Sequence, residues 1–162
     1  MSETRPVVLF LCTTNTVRSQ MAEALLRHHA GDRLAAVSAG LVPGSAVHPL
    51  ALRVLEEKGI DTTGLRPKHV RDLVGSIRVT KVVSVSYQAS QACPILWPGP
   101  VDMQHWPIDY PLAVDSSEDG RLAAFRTIFD AIAARIADWL RASCPGQADG
   151  LRRPATPEWI CL

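Results

Sequence analysis

Val7-Val8-Leu9-Phe10-Leu11-Cys12-Thr13-Thr14-Asn15-Thr16-Val17-Arg18-Ser19 is the stretch on which the reading of this chain turns. Residues 7–11, apolar and largely β-branched or aromatic, predict a buried strand. The residues from Ser19 onward have helical composition. The loop between them therefore lies at the carboxyl end of a strand and the amino end of a helix, where backbone N–H groups without helical partners converge. Such a loop cradles a tetrahedral oxyanion. With Cys12 on its rim and Arg18 at its back, a binding site becomes a nucleophilic one.

The nucleophilic form of cysteine is the thiolate, and a thiol of ordinary acidity is only a few per cent ionised at neutral pH. Holding a thiol mostly ionised takes about 2.7 kcal/mol of preference for the charged form. A helix amino terminus supplies ~0.3–1 kcal/mol of that. The remainder falls to loop amides and to the hydroxyl of Ser19 or Thr16. Arg18 is a fixed cation that grips two oxygens in a planar fork, which lysine does not. Read instead as a small hydrophobe ending a strand, Cys12 leaves the ordered succession of strand, Cys-x5-Arg-Ser and helix without a reason.

The 162 residues suffice for one domain with a full core. A formal charge of +1 implies neither nucleic acid nor a membrane surface as partner. Cys12, Cys93, Cys144 and Cys161 show neither zinc-ligand spacing nor a disulfide framework, so no metal is expected. The polar start Met-Ser-Glu-Thr-Arg-Pro and the short apolar run after it do not form a signal peptide. A reduced, cytoplasmic compartment is the expectation.

Outward from the loop, helix is expected over 19–29, strand over 35–39, and helix over 49–58, with Pro49 in its first turn and Gly59 as its stop. A short helix near 69–74 and a valine-rich strand over 81–85 follow. Residues 86–119 read as a long irregular stretch with one short strand near 103–106. The helix over 121–142 carries an apolar stripe of Phe125, Ile128, Phe129, Ile132, Ile136, Trp139 and Leu140. Residues 143–162 read as a flexible tail, beyond a domain over 1–142. Alternating strands and helices predict a single-domain, doubly wound α/β fold of about four parallel strands, with ligands bound beyond the strands' carboxyl ends.

Cys12-Thr-Thr-Asn-Thr-Val-Arg-Ser-Gln-Met-Ala-Glu resembles the active-site loop of the low-molecular-weight protein tyrosine phosphatase superfamily, and within it the arsenate reductases. Phosphatase members usually place proline after Arg-Ser, whereas Gln20-Met21-Ala22-Glu23 is a reductase-like continuation. Ser38-Ala39-Gly40, Val47-His48-Pro49-Leu50-Ala51, Gly59-Ile60-Asp61, Cys93-Pro94-Ile95-Leu96 and His105-Trp106 are similar too, so the resemblance spans about residues 7–141. It implies Cys12 as nucleophile, Arg18 as oxyanion clamp, Ser19 as hydrogen-bond partner of the thiolate, and Asn15 as the residue holding an unusual backbone. The backbone of Thr13, Thr14, Asn15, Thr16, Val17 and Arg18 would ring the bound oxygens.

Three departures from the family pattern follow. The family's general acid is an aspartate directly before a proline; here Tyr110 precedes Pro111, and Asp109, one residue earlier, is the candidate acid. The reductase cysteine relay is incomplete: Cys93 resembles its last member and is either a resolving thiol or structural, but Ser86 stands near the middle position. Release of product would then need an external thiol reductant of glutathione, mycothiol or thioredoxin type, or a direct bridge to Cys93, with Cys144 or Cys161 on the tail as further thiols. Thr14 stands where glycine is frequent, and Val17 where many members have a second cysteine. His48 shapes the turn at Pro49 or lines the rim, and His105 with Trp106 walls the pocket or packs the core.

The expected activity is arsenate reduction through a thiolate nucleophile and a second thiol. Phosphotyrosine hydrolysis through a phosphocysteine is the alternative, and a non-catalytic oxyanion or redox sensor the third. The expected partners are a small oxyanion, arsenate or phosphate, or a phosphotyrosine substrate, together with a thiol-redox partner.

Overall fold

The computed structural model describes residues 4–97, 100–110 and 117–143. In chain order these form β1 (Val7–Cys12), α1 (Arg18–Ala30), β2 (Ala35–Gly40), α2 (Pro49–Glu57), α3 (Val70–Leu73), β3 (Lys81–Ser84), α4 (Tyr87–Leu96), β4 (Asp102–His105) and α5 (Glu118–Ser143). The four strands are parallel, in the order β2-β1-β3-β4. β1 is an inner strand with both faces covered, and this explains its unbroken apolar sequence. Val8, Phe10 and Cys12 point into a core with α1, α2 and α5. Leu9 and Leu11 point the other way, into a smaller core with Val70 of α3 and Ala89 and Cys93 of α4.

The chain leaves β1 for one face and β3 for the other, so the strand order reverses between these neighbours. In an open parallel sheet this is where a ligand crevice forms. The loops after β1 and β3 both end there, as Thr13 Oγ1 and Ser86 Oγ show at 3.2 Å.

Local chemistry accounts for the elements. α2 opens with Pro49 in its first turn, after His48, whose Nδ1 accepts from the Leu50 N–H at 3.1 Å. It closes at Gly59, whose φ of 70° suits a residue without Cβ. α5 buries Leu122, Phe125, Ile128, Phe129, Ile132 and Ile136 along one stripe. It starts at Glu118, earlier than its apolar pattern indicates, with the Ser117 hydroxyl accepting from the Gly120 N–H at 3.0 Å.

One expectation is corrected. Residues 86–119 are not an irregular stretch with a lone strand: they contain α4 as well as β4. Pro94 disguises α4, yet it sits only two residues before the helix end at Leu96, where its missing N–H removes a single bond. Ser86 starts the helix by accepting from the Ala89 N–H at 3.3 Å. Of the expected tail over 143–162, Ser143 belongs to α5, and residues 144–162, with Cys144 and Cys161, lie outside the described residues. Among the described residues, no helix is long and apolar enough to cross a membrane.

Candidate active site

Cys12 is the last residue of β1 and 2% exposed. Its sulfur receives the Asn15 backbone N–H at 3.1 Å and lies 2.8 Å from Ser19 Oγ. Ser19 Oγ already accepts from Asn15 Nδ2 at 2.8 Å, so its own hydrogen is available to the sulfur. The sulfur thus faces a backbone N–H and a hydroxyl at the end of β1. Thr16, the other hydroxyl considered, pairs instead with Thr14 at 2.9 Å. α1 begins at Arg18 with no side-chain cap from Val17, which leaves its first-turn amides open at the same place.

Asn15 organises the loop. It is fully buried with φ of 54°, a conformation asparagine tolerates better than most residues. Besides Ser19, its Nδ2 donates to Ser38 Oγ at 2.9 Å, and its Oδ1 accepts from the Lys68 N–H at 2.8 Å. Its carbonyl accepts from Gln20 Nε2 at 2.9 Å. Gly40, ending β2, makes room for this fold of the chain: a Cβ there would lie 2.9 Å from Asn15 Cβ and 3.0 Å from the Thr13 carbonyl oxygen.

The polar chain continues away from the sulfur. Ser38 donates to the buried Glu23 carboxylate, which also pairs with Arg27 and lies 3.6 Å from Lys68 Nζ. Burial pulls the Lys68 ammonium below the usual lysine range, and Glu23 opposes the shift. Ser38, Glu23 and Lys68 escape sequence reasoning as members of the site. The quoted similarities include Ser38 and Glu23 without a role, and the distances along the chain carry no local signal.

Arg18 is tied from behind. Its Nη1 donates to the Ile108 carbonyl at 3.0 Å and the Val85 carbonyl at 3.3 Å. That leaves the Nε–Nη2 edge, the pair of parallel donors suited to two oxygens of one anion. The Tyr110 ring covers the guanidinium, with Cζ 5.5 Å from its centroid. Val85 and Ile108 act through backbone carbonyls, which no side-chain pattern reveals.

The remaining candidates separate. Thr14 is exposed, while Val17 packs in the core beside Cys12. Asp109 is exposed and follows the Ile108 carbonyl that Arg18 grips, but the residue touching Arg18 is Tyr110. Trp106 is buried against Phe10 at 5.9 Å and Trp139 at 6.2 Å, and packs the core instead of walling a pocket. His105 Nδ1 meets Ser84 Oγ at 2.9 Å. His48 donates its backbone N–H to the Thr16 carbonyl at 3.0 Å, bracing the loop. Burial, then the nearby charge of Arg121, holds its imidazolium below the usual histidine range. Cys93 is not brought to Cys12: it lies in the smaller core across the sheet, where burial pushes its thiol up to about 11.

Comparison with known proteins agrees with this fold. A profile described as low molecular weight phosphotyrosine protein phosphatase matches residues 7–147. An arsenate reductase of Shouchella clausii is 32% identical over 133 residues, which cover 82% of this chain and 93% of that protein. The structure of a thioredoxin-dependent arsenate reductase from Corynebacterium glutamicum aligns with a TM-score of 0.67 at 29% identity. That alignment covers 88% of this chain and 63% of that one, so this chain spans less than two thirds of its length. A low molecular weight protein tyrosine phosphatase from T. tengcongensis shares the fold at a TM-score of 0.61 and 23% identity, covering 82% of this chain and 99% of that one.

Proposed function

Since the chain belongs to the low molecular weight phosphotyrosine protein phosphatase family, we propose that it is an arsenate reductase of that family, working in a reducing cytoplasm. The observation that carries the chemistry is the Cys12 sulfur facing two hydrogen-bond donors at the mouth of an uncapped helix. The similarity to arsenate reductases over most of the chain supports arsenic as the atom attacked.

Arsenate enters the nest of backbone from Thr13 to Arg18 and meets the open edge of the Arg18 fork. The Cys12 thiolate forms a sulfur–arsenic bond and an arsenate oxygen leaves as water, with Asp109 as the proton donor. A second thiolate then attacks the Cys12 sulfur. The electron pair of the sulfur–arsenic bond moves onto arsenic, which leaves as arsenite, and a disulfide remains on Cys12. The second thiol is external, of glutathione, mycothiol or thioredoxin type. This reading rests on Cys93 lying across the sheet and on serine at position 86.

Phosphatase activity is the second reading, favoured by the family itself, since a nest for arsenate also admits a phosphoryl group. There water, not a thiol, resolves the cysteine adduct. One paired measurement decides: arsenate-dependent oxidation of each thiol class beside hydrolysis of an aryl phosphate, each repeated with Cys12→Ser. Thiol oxidation that vanishes in the variant supports the reductase. Hydrolysis alone supports the phosphatase, and anion binding without either turnover leaves a sensor.

A further inference from the structure

Three aromatic rings form a path through space from Arg18 back to the Thr16 stretch of the Cys12 loop. The Tyr110 ring lies on the Arg18 guanidinium. Phe125 of α5 meets Tyr110 edge-on, with centroids 6.2 Å apart and planes at 76°. The opposite neighbour of Phe125 is His48, at 4.6 Å. His48 closes the circuit by donating its backbone N–H to the Thr16 carbonyl, two residues before Arg18.

Tyr110 is 42% exposed, so burial of apolar surface does not by itself account for its place. What it touches is a cation and the edge of a braced ring. Arg18 Nη1 is anchored by the Val85 and Ile108 carbonyls, which hold the guanidinium from one end, and the Tyr110 ring packs over it. A ring over the guanidinium adds a second restraint to those bonds, and the ring quadrupole attracts the cation. Burial pushes the Tyr110 hydroxyl up against the opposing effect of Arg18, so the ring meets the cation as a neutral phenol, not as a phenolate counter-ion.

We propose that Tyr110 is a positioning residue that sets the plane of the Arg18 fork and thereby the affinity of the loop for a tetrahedral oxyanion. The proposal rests on the oxyanion reading of the Cys12 loop and concerns the ring, not the hydroxyl. Binding of inorganic phosphate and arsenate to the full chain, measured by titration calorimetry, tests it with Tyr110→Phe and Tyr110→Leu. Tyr110→Leu should bind both anions about three- to ten-fold more weakly at an unchanged melting temperature, the range expected of a partly exposed cation–π contact. Tyr110→Phe should restore the affinity. In turnover, Tyr110→Leu should raise KM for arsenate by a similar factor with kcat held, as for a group that acts equally on ground and transition states. Equal affinity in the wild type and Tyr110→Leu overturns the proposal, as does a Tyr110→Phe variant as weak as Tyr110→Leu. A wild-type chain that binds neither anion overturns the oxyanion reading itself, and this proposal with it.

Discussion

Cys12 and Cys93 are shielded from solvent almost equally, at 2% and 4% exposure, on opposite faces of one sheet. Around Cys12 the chain directs a backbone N–H and a serine hydroxyl at the sulfur, at the switch point of the strand order. Around Cys93 the neighbours are apolar side chains, Leu9, Leu11, Val82 and Ala89 among them, and the thiol is pushed up to about 11. Burial without polar partners disfavours a charged sulfur, and that is the setting of Cys93. The difference teaches that depth does not decide what a cysteine does in this fold; the polarity of its immediate surroundings does.

The sharpest way to break the contrast is to exchange the roles by mutation. Cys12→Ser should lower arsenate-dependent thiol oxidation by about 10³-fold or more. Cys93→Ala should leave that rate within about two-fold and instead cost about 1–2 kcal/mol of stability, read from denaturant midpoints, for the space it empties. Equal loss of turnover in both variants would falsify the structural assignment of Cys93. Next in size, Arg18→Lys keeps a positive charge but loses the fork. A fall of about 10²–10³-fold in kcat/KM for arsenate is expected, and a ten-fold effect or less would mean that charge alone holds the anion.

Alkylation sharpens the contrast from the other side. In a Cys12→Ser background, Cys93 should react slowly with iodoacetamide at neutral pH and accelerate only as the pH rises toward about 11, with the protein still folded. Peptide mapping of the labelled site reads this directly. The smallest effect concerns His48. Its proton affinity is lowered in the folded chain, so the unfolded chain binds the proton first as the pH falls. Its contribution to stability is present above about pH 6.5 and is lost as the pH drops through the lower folded value. Protonation of Nδ1 would also remove the acceptor for the Leu50 N–H. Thermal melts at pH 7.5 and pH 5.5, with His48→Gln as control, check the sign.

Much of this was legible in the sequence because the decisive residues are neighbours along the chain. Strand, Cys12, Asn15, Arg18, Ser19 and helix fall within one short segment, and their spacing carries their geometry. The α5 stripe was legible for the same local reason. α4 was not, because Pro94 mimics a break and its cap, Ser86, belongs to a stretch rich in proline. Nor were the links of Asn15 to Ser38 and Lys68, or of Ser38 to Glu23, which form only once β2 and the segment before α3 are in place. Tyr110 was read through the proline that follows it, and its contact with Arg18 belongs wholly to tertiary structure.

Arg18 fastens to carbonyls that lie beyond the ends of β3 and β4, while its own helix follows β1. Until the sheet has assembled as far as its β4 edge, the Cys12 loop lacks the carbonyls that anchor Arg18. A guest anion that bridges loop and fork therefore rewards the finished sheet over any half-built one, by mass action. On the oxyanion reading proposed above, inorganic phosphate in the loop would stabilise the finished sheet as well as occupy the site.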